Sequence, residues 1–294
     1  AQGDRSAALG SLSQLAGLED LLLTPGRTVA GIGAVGSELV ASLAAAGIGH
    51  LTLLDPDVMN TENVHRHVLG IEAVGARKAE ALAQLLSKRF PHLEITGHAM
   101  AFDTWATAHP ERLRATDLVV LATGEETDEL RINALLAGGP PRLHAWVDPV
   151  GLAGHVVLGG VQTPAGVTPG CYACVVVPHA THGFVNRLSL VAPGQQLQRA
   201  VAGCAGTFNP FPAAASRRTA LEAADLAVAY LTGGVTGARV VTWRARTTPA
   251  VALTLSPRAR VVLAGTSADL AAVDFARDTC PVCGVGVPGM VRGP

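Results

Sequence analysis

The sequence predicts an α/β fold, a Rossmann-like, doubly wound and mostly parallel sheet continued by antiparallel strands. Three observations predict it. A short apolar run at residues 28–32 feeds Gly31, Gly33 and Gly36, spaced as G-x-G-x-x-G. A helix-favouring stretch of small residues and a second apolar run follow, with an acid, Asp55, at the end of that run. Beyond it, apolar runs of strand length alternate with amphipathic stretches as far as Val147, as in strands joined by crossover helices.

Residues 1–27 form a lead-in, in which 11–23 are apolar enough for a helix packed on the domain. Residues 28–32 read as a buried strand. The first glycine permits a tight turn, the second lets a phosphate approach the backbone, and the third lets the next helix pack on the strand. Residues 37–46 read as that helix, stopped by Gly47. With a strand at 50–54, Asp55 lies where a carboxylate accepts the hydroxyls of a bound ribose. Residues 75–90 make an amphipathic helix with Ala79, Leu82, Ala83, Leu85 and Leu86 on its apolar side. Strands follow at 93–99, 117–122 and 143–147, and a helix at 127–137. Residues 144–161 are β-prone and glycine-punctuated, and they open an antiparallel half. Residues 168–212, with Gly, Pro and polar residues between recognisable elements, read as a loop. A long alanine-rich helix at 213–231 offers Leu221, Leu226, Val228 and Leu231 to the core, and 239–244 with 251–255 read as a closing hairpin. The expected organisation is one domain over 1–294, with a lead-in at 1–27, a nucleotide-binding half at 28–150 and an antiparallel half at 151–294.

The residues after Asp55 select the nucleotide. Asp57, Asn63, Arg66 and Lys78 follow within one short stretch. A nicotinamide enzyme has no need of two cations and an amide there. A triphosphate site does, because the charge on the phosphates must be neutralised as it shifts. Lys78 falls in the first turn of its predicted helix, where the dipole favours acids, so it fits better beside bound phosphate.

The segments GIGAVG, DPD, NVHR and GARK stand in the order G-x-G-x-x-G, D-x-D, N-x-x-R, G-x-x-K. In this the chain resembles the ThiF/MoeB adenylyltransferases and the adenylation domains of ubiquitin-activating enzymes, as far as its C-terminal cysteines. The resemblance implies ATP with Mg²⁺ over the glycine turn, Asp55 on the ribose, and Asn63, Arg66 and Lys78 on the phosphates. It implies adenylation of the C-terminal carboxylate of a ubiquitin-like or sulfur-carrier protein, or of a peptide, with release of pyrophosphate. The acyl group then passes to a thiol, a conjugating enzyme or a sulfur donor. It also implies a homodimer, in which Arg5 reaches the ATP of the opposite subunit.

Two positions depart from the family or stay open. Relatives carry an aspartate in a T-D-N turn for magnesium, whereas this chain has GEETDELRIN. Counting back from Arg131, Glu126 is the best match, with Glu125 and Asp128 as rivals. A glutamate binds magnesium only from further back. Cys204 precedes the long helix, as the family's thioester or sulfur-handling cysteine does; a small buried residue is the other reading. His179 and His182 read as surface or loop residues. Other assignments are peptide natural-product tailoring through the same adenylate, a non-catalytic partner subunit, and, more distantly, a nicotinamide oxidoreductase.

Cys171 and Cys174 form C-Y-A-C, and Cys280 and Cys283 form C-P-V-C. Each pair supplies two corners of a tetrahedron, so together they predict a Cys₄ zinc site stapling the C-terminal tail to the middle of the chain. The family has the same arrangement. A thioredoxin-like redox pair is the rival, but neither motif opens a helix after a strand in the way that chemistry needs.

The bulk properties are consistent with this. Over 294 residues, 49% are hydrophobic and 15% charged, which supports a large core and argues against disorder. A formal net charge of −1 gives no support to nucleic-acid binding. No apolar run approaches the roughly 20 residues of a membrane span, and no basic-then-apolar leader is present. Cysteines used as metal ligands imply a reducing, cytoplasmic setting. The sequence begins on Ala1 rather than Met, as in a processed chain or a piece of a longer one.

Overall fold

The central strands are short runs of Val and Leu that bury both faces. The computed structural model describes residues 26–164, 166–195, 197, 199–200, 207–208, 210–246, 252–264, 269–270 and 275–284. In it β1 (Arg27–Ala30), β2 (His50–Leu54), β3 (Glu94–His98), β4 (Leu118–Leu121) and β5 (Arg142–Val147) run parallel, in the spatial order β3-β2-β1-β4-β5. β6 (Ala153–Gly159) turns back antiparallel on β5. A hairpin of β7 (Val176–His179) and β8 (Gly183–Asn186) stands apart from the sheet. The sheet resumes with β9 (Arg239–Arg244) on β6 and β10 (Asp269–Leu270) on β9, both antiparallel. The whole is an eight-stranded sheet, parallel in one part and antiparallel in the other.

The helices are α1 (Ala34–Ala45), α2 (Lys78–Arg89), α3 (Phe102–Ala108), α4 (Pro110–Arg114), α5 (Glu126–Leu135), α6 (Tyr172–Val175), α7 (Ala213–Leu231) and α8 (Pro257–Ala264). Strand alternation sorts them into two layers. Val29, Leu53 and Val120 pack in one cluster with residues of α1, α2 and α7. Ala30, Leu54, Val119 and Leu121 pack in another with Phe102 and Trp105 of α3, Ile132 of α5 and Leu136 just after it. A parallel sheet covered on both faces explains why β1 and β4 read as continuous apolar runs. Among the described residues no helix is long and apolar enough to cross a membrane.

Four expectations are corrected. Leu221 is 60% exposed and Leu85 42% exposed, so neither belongs to its helix's buried face. The buried face of α7 is Ala220, Ala223, Ala224, Leu226 and Ala227, because α7 lies along α1 and across β5 and β6, where small side chains permit close approach. Residues 252–255 do not form a hairpin with β9. Leu255 bridges Val191 instead, and Ser256 Oγ accepts the Ala259 N–H at 3.2 Å at the start of α8. Nor is 168–212 simply a loop: it contains α6, the β7–β8 hairpin, and buried Leu188, Leu190 and Val191, a run too short to stand out before Pro193 and Gly194. The helix expected at 11–23 lies outside the described residues.

Truncating the buried Leu226 to Ala should cost about 2–5 kcal/mol in urea unfolding. Leu221→Ala should stay within about 0.5 kcal/mol of the parent. Equal losses would show that α7 packs through a different face.

Candidate functional site

The strand order reverses between β1 and β4, and in sheets of this kind the crevice at that point, past the carboxyl ends of the strands, is where ligands sit. The glycine turn occupies it. Gly31 has φ +85°, and a Cβ there would lie 2.6 Å from the backbone of Ala122 and Thr123 beyond β4. A Cβ on Gly36 would lie 1.8 Å from the Gly31 carbonyl oxygen. Gly33 is different: a Cβ there would meet nothing within 4 Å among the described residues. The outer face of the turn is therefore open, as an approaching phosphate requires. Directly after it α1 begins with no capping side chain and no acid in its first turn, so the positive end of its dipole faces the opening.

Ile32, in the middle of this turn, is held through both of its backbone polar groups. Its N–H donates to Asp55 Oδ2 at 2.6 Å. Its carbonyl lies 2.7 Å from Nε2 of His67. Nδ1 of His67 accepts the Leu69 N–H at 3.0 Å, so the proton sits on Nε2, which donates to Ile32. The other oxygen of Asp55 accepts the Asp57 N–H at 2.8 Å. Burial pushes the Asp55 carboxyl upward, opposed by these N–H groups and by the Lys78 cation.

The remaining nucleotide-motif residues surround this centre. Lys78 opens α2, is nearly buried, and its Nζ donates to Asp57 Oδ2 at 2.8 Å. Asn63 caps the 3₁₀ turn Thr61–Arg66, its Oδ1 accepting the Asn60 N–H at 3.2 Å. Arg66 ends that turn, and its guanidinium lies 5.2 Å from the ring centre of Phe211, just before α7. Partial burial lowers its pKa from an already high value, so it remains a cation.

Beyond β4, Glu129 positions the loop. Its Oε1 accepts the Thr123 N–H at 3.1 Å and the Thr123 hydroxyl at 3.0 Å. Its Oε2 accepts from His144 Nδ1 at 2.9 Å, and His144 stacks on Tyr172 with ring centres 4.2 Å apart. Burial lowers the pKa of His144. Glu126 begins α5 and accepts from Asn186 Nδ2 at 3.4 Å. The residue is exposed overall, yet protein crowds its carboxyl and raises its pKa, and nearby Glu129, Asp148 and Glu125 raise it further. Asp128 accepts from Arg131 at 3.3 Å, which commits it to a local ion pair that includes Asp103.

The four predicted cysteines converge, and all are buried. Their sulfurs lie within 4.8 Å of one another, with Cys171 to Cys280 at 3.7 Å and Cys174 to Cys283 at 3.4 Å. These distances are too long for disulfides. They fit the edge of a tetrahedron around a zinc ion with Zn–S bonds of about 2.3 Å. Polar groups support the cluster: Gly170 N–H donates to Cys283 at 3.3 Å and Asn133 Nδ2 to Cys171 at 3.5 Å. Arg142, 1% exposed, donates from Nε to Asn133 at 3.0 Å and sets a cation beside the thiols.

Arg5 and Cys204 lie outside the described residues. His179 and His182 are exposed on the β7–β8 hairpin, with rings 4.9 Å apart. His67, Glu129 and Arg142 were not singled out by the sequence. For His67 a signal existed, since it directly follows Arg66 of the N-x-x-R segment. Glu129 and Arg142 carry no local signal, because their partners are distant in the chain.

A ThiF family model matches residues 5–249. The ATP-dependent ubiquitin transferase-like protein Cap2 of Pseudomonas aeruginosa is 30% identical over 217 residues, covering 71% of this chain and 37% of that protein. The adenylyltransferase and sulfurtransferase UBA4 of Yarrowia lipolytica is 37% identical over 68 residues, 23% of this chain and 17% of that protein. This chain thus spans little more than a third of the Cap2 relative it matches. Among solved structures, Escherichia coli MccB with MccA-N7isoASN has the same fold, with a TM-score of 0.59 at 16% identity over 93% of this chain and 70% of that one. Matched over most of its length, and carrying the glycine turn, the motif cations and the cysteine cluster, the chain belongs to the ThiF family.

Proposed function

We propose that this chain is an ATP-dependent adenylyltransferase that activates the C-terminal carboxylate of a ubiquitin-like or sulfur-carrier protein, or of a peptide. The observation that carries the reading is the open face of Gly33 beside the uncapped start of α1, with Arg66 and Lys78 on adjoining turns. The phosphates lie along the N–H groups of this turn. Lys78 exchanges Asp57 for phosphate oxygens, and Asp55 or Asp57 holds the ribose. An oxygen of the substrate carboxylate attacks the α-phosphorus. The bond to the β-phosphate oxygen breaks and the electron pair leaves with pyrophosphate. The protein supplies orientation and cations, and no side-chain nucleophile is consumed.

Magnesium, when bound, shields the phosphate charge. Glu126 is the acid of this chain proposed to hold it. The burial of its carboxyl, with the neighbouring carboxylates adding to it, raises its pKa and makes a bound cation favourable there, whereas Asp128 is committed to Arg131. Arg5 is proposed to complete the site across a homodimer, and Cys204 to accept the acyl group as a thioester. The cysteine cluster is proposed to hold one structural zinc.

ATP–pyrophosphate exchange with a cognate carboxylate tests the reaction. Lys78→Ala or Arg66→Ala should depress exchange about 10²-fold or more with little change in unfolding midpoint. Wild-type protein without exchange would assign it instead to a non-catalytic partner role. Gly33→Val should fold normally, since its side chain enters open space, yet lose ATP in calorimetry; retained binding would move the nucleotide elsewhere. Metal analysis should give about one zinc per chain, with Cys283→Ser lowering both zinc content and stability. A metal-free preparation of full stability would exclude the structural site. Cys204→Ala should keep exchange and lose a reductant-sensitive adduct with the cognate protein.

A further inference from the structure

We propose that His67, acting as neutral imidazole, is a positioning residue that holds the phosphate-facing turn in its ATP-binding conformation. This rests on the adenylyltransferase reading and adds a residue outside the four motif segments. Ile32 lies between the glycine at φ +85° and the open Gly33, so the two peptide planes that meet at its Cα set where the N–H groups of the turn point. Asp55 holds the first of them through the Ile32 N–H at 2.6 Å, and His67 holds the second, which carries the Gly33 N–H, through the Ile32 carbonyl at 2.7 Å. His67 is 6% exposed, which leaves the Ile32 carbonyl no water to take its place. Because His67 directly follows Arg66, the same bond ties the turn carrying the phosphate cation to the turn carrying the phosphate-binding backbone.

The bond that orients the ring needs one protonation state. Nδ1 accepts from Leu69, so a second proton there would set two N–H groups against each other and turn the ring out of its position against Ile32. Glu38 on α1 and Lys78 on α2 are the charged groups acting on the ring, and Asp55, just past β2, holds the N–H of the same residue, Ile32. Burial lowers the pKa of His67 below the ordinary histidine value, Lys78 adds to this, and the Ile32 carbonyl and Glu38 oppose it. A lowered pKa keeps the ring neutral through neutral pH. The clamp is therefore intact there and is disturbed only as pH falls through the lowered pKa of the ring, below the ordinary histidine range.

The test is calorimetric titration of ATP into the full chain, wild type, His67→Ala and His67→Gln, across pH, with thermal unfolding measured alongside. The glutamine keeps a side-chain N–H for the Ile32 carbonyl and does not titrate. His67→Ala should weaken ATP about tenfold, because fewer molecules hold the competent turn. His67→Gln should recover most of the affinity and lack the extra loss of affinity that wild type shows at acidic pH, where the ring takes its second proton. The titration of ATP itself is common to all three proteins and cancels. If wild type binds ATP and His67→Ala binds it equally well, or if the wild-type and His67→Gln pH profiles superimpose, the positioning role is overturned. Should His67→Ala fail to fold, the glutamine comparison still decides. Wild-type protein that binds no ATP at any pH overturns the adenylyltransferase reading itself, an outcome distinct from loss of the clamp alone.

Discussion

Asp55 is a buried carboxylate with both oxygens turned to backbone N–H groups, those of Ile32 at 2.6 Å and Asp57 at 2.8 Å. Placing an ionised group in a dry interior is unfavourable unless it is fully hydrogen-bonded and near a cation. Here the two N–H groups and the approach of Lys78 supply that compensation. In return, the carboxylate joins the end of β2 to the glycine turn after β1 and holds the backbone of Asp57, which itself accepts both the backbone N–H and Nζ of Lys78 at the start of α2. Its bond to Ile32 extends the backbone contact that Gly31 N–H makes with the Leu54 carbonyl at 2.9 Å.

The other side of the crevice has a comparable centre in Glu129. It holds Thr123 through backbone and hydroxyl and is itself held by His144, whose ring stacks on Tyr172. Tyr172 belongs to C-Y-A-C, and Asn133, one turn along α5 from Glu129, donates to Cys171. A continuous set of buried polar contacts therefore runs from the loop after β4 to the cysteine cluster. Hydrogen bonds made in a buried, low-dielectric setting are strong and tie together what they join, and in this set only His144 Nε2 is left without a partner among the described residues. This gives the distant cysteine pairs a role in shaping the crevice from behind while they touch none of the motif cations.

The sequence-level reading succeeded where physics is local. G-x-G-x-x-G followed by helix and strand can be read residue by residue, because each glycine answers a clash or an approach within its own turn. It failed where a face had to be chosen. Leu221 and Leu85 satisfy helical periodicity as well as their neighbours do, yet the close contact along α1 admits alanine and leaves Leu221 outside. The hairpin expected at 251–255 failed for a similar reason. β9 found β6 and β10, and 252–255 went instead to the segment around Val191.

By itself the sequence determined the doubly wound core, the nucleotide motif, the pairing of two C-x-x-C segments and the family, since each is carried by spacing within a few residues or by apolar runs of strand length. Only the tertiary structure decided that Asp55 and His67 hold the two peptide groups flanking the Ile32 Cα, that Glu129 and not Glu126 anchors Thr123, and that Arg142 is buried beside the thiols. Those contacts join residues that the chain alone does not place together. A buried polar group takes the partner that packing brings within hydrogen-bond reach, and packing is a property of the whole fold.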